Sequence, residues 1–96
     1  MHRDAINRIQ IMEKCFDVLI MAEQNNPNSI MKDPELKSFL GLLIHYYDNG
    51  QWLQDYELDE KGVLPQDLKR GVLSQDAVYN FLDRIKNIEG FDTLNN

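Results

Sequence analysis

Apolar residues recur along this chain at three- and four-residue steps, the spacing of helices that bury one face. Ile6, Ile9, Met12, Phe16, Leu19 and Ile20 form the first stripe and predict a helix over 3–24. Arg3, Arg8, Glu13, Lys14 and Asp17 are read as largely off it. Ile11, Cys15 and Val18 widen the apolar face, so more than one neighbour is expected to pack there. Asn25-Asn26-Pro27-Asn28-Ser29 ends the helix, because Pro27 disfavours helical geometry at Asn26 and Asn suits turns.

Asp33-Pro34-Glu35 opens the central helix, predicted over 33–49. Asp33 can cap free backbone N–H groups, and Pro34 at the first helical position loses no needed donor. Leu36, Phe39, Leu40, Leu42, Leu43, Ile44, Tyr46 and Tyr47 make this helix apolar almost all round. Gly41 is expected to permit close backbone approach, at about 1 kcal/mol of propensity relative to Ala. Gly50 suits a left-handed stop after Asp48-Asn49.

Trp52, Leu53 and Tyr56 fit one face of a short helix over 51–61, with Asp55, Asp59 and Glu60 outside that face. Val63-Leu64-Pro65 reads as extended, and Pro65 to Arg70 as a single helical turn closed by Gly71. Ser74 is the expected cap of a last helix over 74–89, whose stripe is Ala77, Val78, Phe81, Leu82, Ile85 and Ile88. Phe91 to Asn96 is expected to fray. The chain is thus expected to form a single all-α domain over 1–96. It has a compact three-helix core, with an irregular or short-helical segment between the second and last helices.

Composition narrows the function classes. The 96 residues fit one modest core, and 43% apolar with 27% charged residues is a globular balance. The net charge of −6 is uneven: residues 33–62 hold seven acids and two bases. Phosphate binding needs clustered Lys and Arg, so nucleic acid is a poor partner, and an anionic membrane surface is disfavoured likewise. A protein partner with a basic surface is compatible. Cys15 is the only cysteine, which suits a reducing compartment. No run approaches the roughly 18 apolar residues of a membrane span, and Met1-His2-Arg3-Asp4 lacks the start of a signal peptide. The expected location is the cytoplasm.

Familiar chemistries fail on spacing. Asp55, Glu57, Asp59, Glu60 and Gly62 suggest a calcium loop, but the sixth residue from Asp55 is Glu60 and the twelfth is Gln66, where Gly and Glu are required. One Cys and two His offer no zinc spacing, so neither a metal nor a cofactor is expected. Cys15 reads as a buried structural thiol. His45 beside Tyr46 and Tyr47 reads as a hydrogen-bonded residue, or alternatively as a base in a small-ligand site with nearby Tyr and acidic residues. Ser29, Ser38 and Ser74 lack a nucleophile elbow. Lys69 and Arg70, ahead of the last helix, are a candidate anion site or a pair of solvated side chains. The aromatic group Tyr46, Tyr47, Trp52 and Tyr56 is the most informative cluster. With Asp48, Asp55, Glu57, Asp59 and Glu60 it could form an aromatic patch with an acidic rim for a partner's Arg or Lys. The alternative is that Trp52 and Tyr56 pin the middle segment to the core.

One stretch carries a resemblance. Gly50-Gln51-Trp52-Leu53, Asp55-Tyr56-Glu57, Asp59-Glu60, Gly62, Leu64-Pro65, Asp67 through Ser74, Asp76, Tyr79 and Leu82 resemble a family of small bacterial proteins described as a domain of unknown function, DUF4298. Arg8-Ile9 and Met12-Glu13 are similar as well. The resemblance implies a compact helical bacterial protein and supplies no catalytic residue to carry over.

Three functions remain open. The leading expectation is a non-enzymatic acidic interaction or accessory protein that binds another protein through Tyr47, Trp52, Asp55, Tyr56, Glu57, Asp59 and Glu60. The second is a small-ligand binder or minor enzyme built on His45. The third is an inhibitor that mimics nucleic acid with its carboxylates. The oligomeric state is left open.

Overall fold

The computed structural model describes residues 2–91, and the expectation for the tail lies, beyond Phe91, outside the described residues. Five α-helices follow one another: α1 Arg3–Asn25, α2 Ser29–Lys32, α3 Pro34–Asp48, α4 Gln51–Glu60 and α5 Ala77–Ile85. A 3-10 turn, Gly71–Leu73, precedes α5, and there is no strand among the described residues. The all-α expectation holds. The 41 Å long axis follows from α1, whose 23 residues alone span roughly 34 Å at 1.5 Å per residue.

α1 packs chiefly along α3, and its stripe delivers Ile9, Met12, Phe16 and Leu19 to the core. α3 answers with Leu40, Leu43 and Tyr46. From α5 come Val78, Phe81 and Ile85, with Phe81 edge-on to Phe16 at 5.7 Å between ring centroids. The segment between α3 and α5 is no loose connection. Trp52, Leu64, Leu68, Val72 and Leu73 are all buried in the same cluster. The core therefore has three principal helices plus this middle segment, which α5 meets at the 3-10 turn.

Local chemistry explains the boundaries. Asp33 Oδ1 accepts from the N–H of Glu35 at 2.9 Å and of Leu36 at 3.4 Å, so the α3 cap is as the sequence predicts. Gly50 has φ +93°, a left-handed backbone that L side chains rarely adopt, and it turns the chain directly from α3 into α4. Helix α4 is real and ends at Glu60.

Four local expectations are corrected. Asn25–Ser29 is shorter as a break than expected, because Ser29 already begins α2, with its Oγ donating to the Asn26 carbonyl at 2.7 Å. Residues 65–70 form no helix: the Leu68 N–H on the Pro65 carbonyl at 3.2 Å closes one turn there, and the 3-10 helix follows at Gly71–Leu73. The last helix is Ala77–Ile85 rather than 74–89. Ser74 accepts from the Ala77 N–H through its backbone carbonyl at 3.2 Å, and its side chain is no cap. Beyond Ile85 the bonds Ile88 N–H to Ile85 carbonyl and Phe91 N–H to Ile88 carbonyl are of the tighter i to i+3 kind. Finally, nothing lies within 4 Å of the place a Gly41 Cβ would occupy, so Gly41 serves no close approach.

The Asp33 cap supplies a direct check on this reading of α3. Asp33→Ala should lower stability by about 1 kcal/mol, read as a shift in urea midpoint at unchanged slope.

Candidate functional site

The residues with chemistry meet where α1, α3, α4 and the 3-10 turn converge. Asp55 lies on the inner face of α4 and is fully buried, at 0% exposure. Arg8 of α1 clamps its carboxylate from two sides, Nε to Oδ2 at 2.9 Å and Nη2 to Oδ1 at 2.5 Å. The Tyr46 hydroxyl of α3 donates to Oδ2 at 2.8 Å. A buried carboxylate is tolerable only with such partners, and here they come from two other helices. The fit is visible in the partners' acidities. The hydrogen bond to Asp55 raises the Arg8 pKa further, against the opposing effect of burial. Burial first, then the bond to Asp55, pushes the Tyr46 hydroxyl well above its ordinary value of 10.0.

A second group locks the 3-10 turn. Glu13 of α1 is 7% exposed, and its Oε1 accepts from the Val72 N–H at 2.8 Å. The Trp52 indole N–H donates to the Val72 carbonyl at 2.8 Å. Both backbone groups of this buried residue are thus satisfied by side chains from α1 and α4. Gly71 makes room for the Glu13 carboxylate, since a Cβ there would stand 3.1 Å from Oε2. Next along, Arg70 holds the loop to α4 by donating to the Asp59 carboxylate and to the Pro65 carbonyl. Its Nε also donates to the Leu68 carbonyl at 3.2 Å.

Three rings stack above this lattice. Trp52 lies face to face with Tyr56, 5.1 Å apart and 14° from parallel, and tilts against Tyr47 at 5.3 Å. Trp52 is buried, while Tyr47 and Tyr56 are half-buried. A side-chain hydrogen bond to Glu60 raises the Tyr56 pKa.

The expected site residues therefore divide. Asp55 is not on an acidic rim; it is the buried centre of an ion pair, because α4 turns it inward beside Trp52. Trp52 is a core residue. Asp59 is engaged by Arg70, and Arg70 with it is no free anion site. Lys69 is 80% exposed, 3.9 Å from Asp17, and takes no part in an anion pocket with Arg70. Tyr56, Glu57 and Glu60 do share the outer face of α4, at three- and four-residue steps with Leu53. His45 is exposed, bonded to Asn49 Nδ2 at 3.1 Å, and has no link to Asp55, Glu57 or Asp59. Cys15 is buried, and burial pushes its thiol up, away from the reactive thiolate. Among the described residues, no group of three His, Cys, Asp or Glu could hold a metal ion, and no helix is long and apolar enough to cross a membrane.

Arg8 and Glu13 escape the sequence reading as site residues, and Tyr46, read there as part of an aromatic patch, is a buried residue that holds Asp55. A signal was present for Glu13. It follows Ile9 by four and precedes Phe16 by three, which places a carboxylate on the apolar stripe. Asp55, three residues after Trp52, carries the same signal.

This chain belongs to the DUF4298 family, a domain of unknown function whose family model matches residues 9–90. The matched stretch takes in every residue of the lattice except Arg8. No curated protein and no solved structure matches the chain.

Two measurements test the lattice. Asp55→Ala leaves the Arg8 guanidinium and Tyr46 hydroxyl without their acceptor, and should cost about 3 kcal/mol, the low end for a broken buried pair because Arg8 keeps some access to water. The raised Tyr46 pKa means that the folded state holds this proton more tightly than the unfolded state. Its contribution to stability is intact below pH 10 and declines above it, with a slope of up to about 1.4 kcal/mol per pH unit. Tyr46→Phe should be less stable at pH 7, yet lose this part of the alkaline slope when urea midpoints are compared between pH 9 and 11.

Proposed function

We propose that this member of the DUF4298 family is a non-enzymatic accessory protein of the bacterial cytoplasm, and that it binds a protein partner through the outer face of α4. One observation carries the reading. The inner face of α4 is fixed by Trp52 and Asp55, while its outer face presents Leu53 at 52% exposure, the half-buried Tyr56, and the exposed carboxylates Glu57 and Glu60. An apolar and aromatic centre flanked by carboxylates suits a partner's Arg or Lys, through cation–π contact and ion pairing. The rings are already stacked before any partner arrives, so little side-chain freedom is lost on binding. The lone, buried Cys15 fits a reducing compartment.

Crosslinking capture from bacterial extract tests this with a matched pair of baits. The wild-type chain should recover a partner whose yield falls with salt. The double variant Glu57→Lys, Glu60→Lys should recover at least tenfold less, with stability within about 0.5 kcal/mol of wild type. Equal recovery by both baits, or none by the wild type, contradicts the proposal.

A further inference from the structure

Helix α1 is apolar on more sides than the chain covers. Ile9, Met12, Cys15, Phe16 and Leu19 are buried, yet Ile11, Val18 and Met21 stand 55%, 42% and 63% exposed. Exposed apolar residues scattered singly are ordinary, but these three lie on one stripe. Asn7, Ile11, Lys14, Val18, Met21 and Asn25 follow one another at alternating steps of four and three, and all six are exposed. Such steps average about 3.5 residues, the repeat that keeps one helix seam facing a second helix along its length. The branched residues Ile11 and Val18 stand at equivalent places in that repeat.

We infer that this stripe is a self-association surface, on which α1 of a second copy lies antiparallel about a two-fold axis level with residue 16. The order of residues along the stripe selects both occupant and direction. In antiparallel order Ile11 meets Met21 of the second copy, Asn7 meets Asn25, and Lys14 lays its methylene stem along Val18. The Lys14 ammonium then reaches Asp17 of the second copy, which directly precedes Val18. Within its own chain Asp17 has one ion pair among the described residues, a 3.9 Å contact with the exposed Lys69, which holds it weakly. Parallel order fails, because it sets Lys14 against Lys14 in the middle of the seam. One stripe thus carries both halves of every pair, as a two-fold contact requires: each residue meets a different one, and the axis supplies the match again in reverse. The surface shares no residue with the outer face of α4 and does not depend on binding there.

The test is sedimentation equilibrium of the full chain at rising concentration, joined to a crosslinking experiment. The mass should climb from the 11.3 kDa of one chain to twice that value. Val18→Glu, at an exposed position, should weaken self-association by about tenfold or more. The Glu57→Lys, Glu60→Lys variant should associate as the wild type does, which separates a failure here from a failure at α4. Direction is read by mixing Asn7→Cys protomers with Asn25→Cys protomers under oxidised glutathione. The mixture should form a disulfide between copies, and neither variant alone should join to itself; the buried Cys15 does not compete. A chain that stays monomeric at every concentration, a dimer that Val18→Glu leaves unchanged, or variants that each crosslink to themselves would overturn the inference. The crosslinking arm does not use Val18→Glu and stands even if that variant does not fold.

Discussion

A carboxylate cannot be taken out of water without partners that hold it, and Asp55 is taken fully out of water. Its partners stand 47 residues away on α1 and nine residues away on α3. Meeting both conditions fixes how three helices stand relative to one another. Apolar stripes alone would allow α4 to slide or rotate on its neighbours at small cost, since hydrophobic burial is non-directional. The two-pronged Arg8 clamp and the Tyr46 hydroxyl admit one arrangement. Such a pair adds little net stability over an apolar replacement of the same shape; its value here is in the geometry it enforces.

The same logic extends to Val72. A short 3-10 turn has too few internal bonds to hold itself in a core. Here Glu13 receives the turn's N–H and Trp52 gives to its carbonyl, so α1 and α4 grip the same residue from opposite directions. Arg70 fastens the preceding loop to Asp59. Residues 63–73, which carry little regular structure, thereby become part of the core, and α5 packs onto a surface that they help to build.

Much of the fold was legible in the chain. The stripe of α1, the Asp33-Pro34 start, the Gly50 stop and the apolar face of α5 all report local physics, and local physics decided them. The expected ends of α5 are too generous because Ser74 looks like a cap and Ile88 fits the stripe, while the backbone bonds at both are of the i to i+3 kind. The site was less legible. In sequence, Asp55 and Glu13 look like solvated acids because carboxylates usually are. Their place on apolar stripes pointed inward, but the partners that make burial possible come from distant segments, and no local pattern names them. Trp52 went to the core for the same reason: its indole N–H found a backbone carbonyl twenty residues on. Arg8, Glu13, Trp52, Asp55, Arg70, Gly71 and Val72 are among the residues that carry the family resemblance, and each takes part in this lattice.

With Trp52 and Asp55 committed to the interior, the outer face of α4, the surface proposed for a partner, depends on the lattice behind it. The lattice is tested most directly at one atom, the Val72 amide hydrogen, by hydrogen exchange. If Glu13 and Trp52 clamp Val72 as described, that hydrogen exchanges only with global unfolding, as slowly as the slowest amides of α1 and α3. Exchange at the rate of an open loop would show that the middle segment is not locked, and the account would fail.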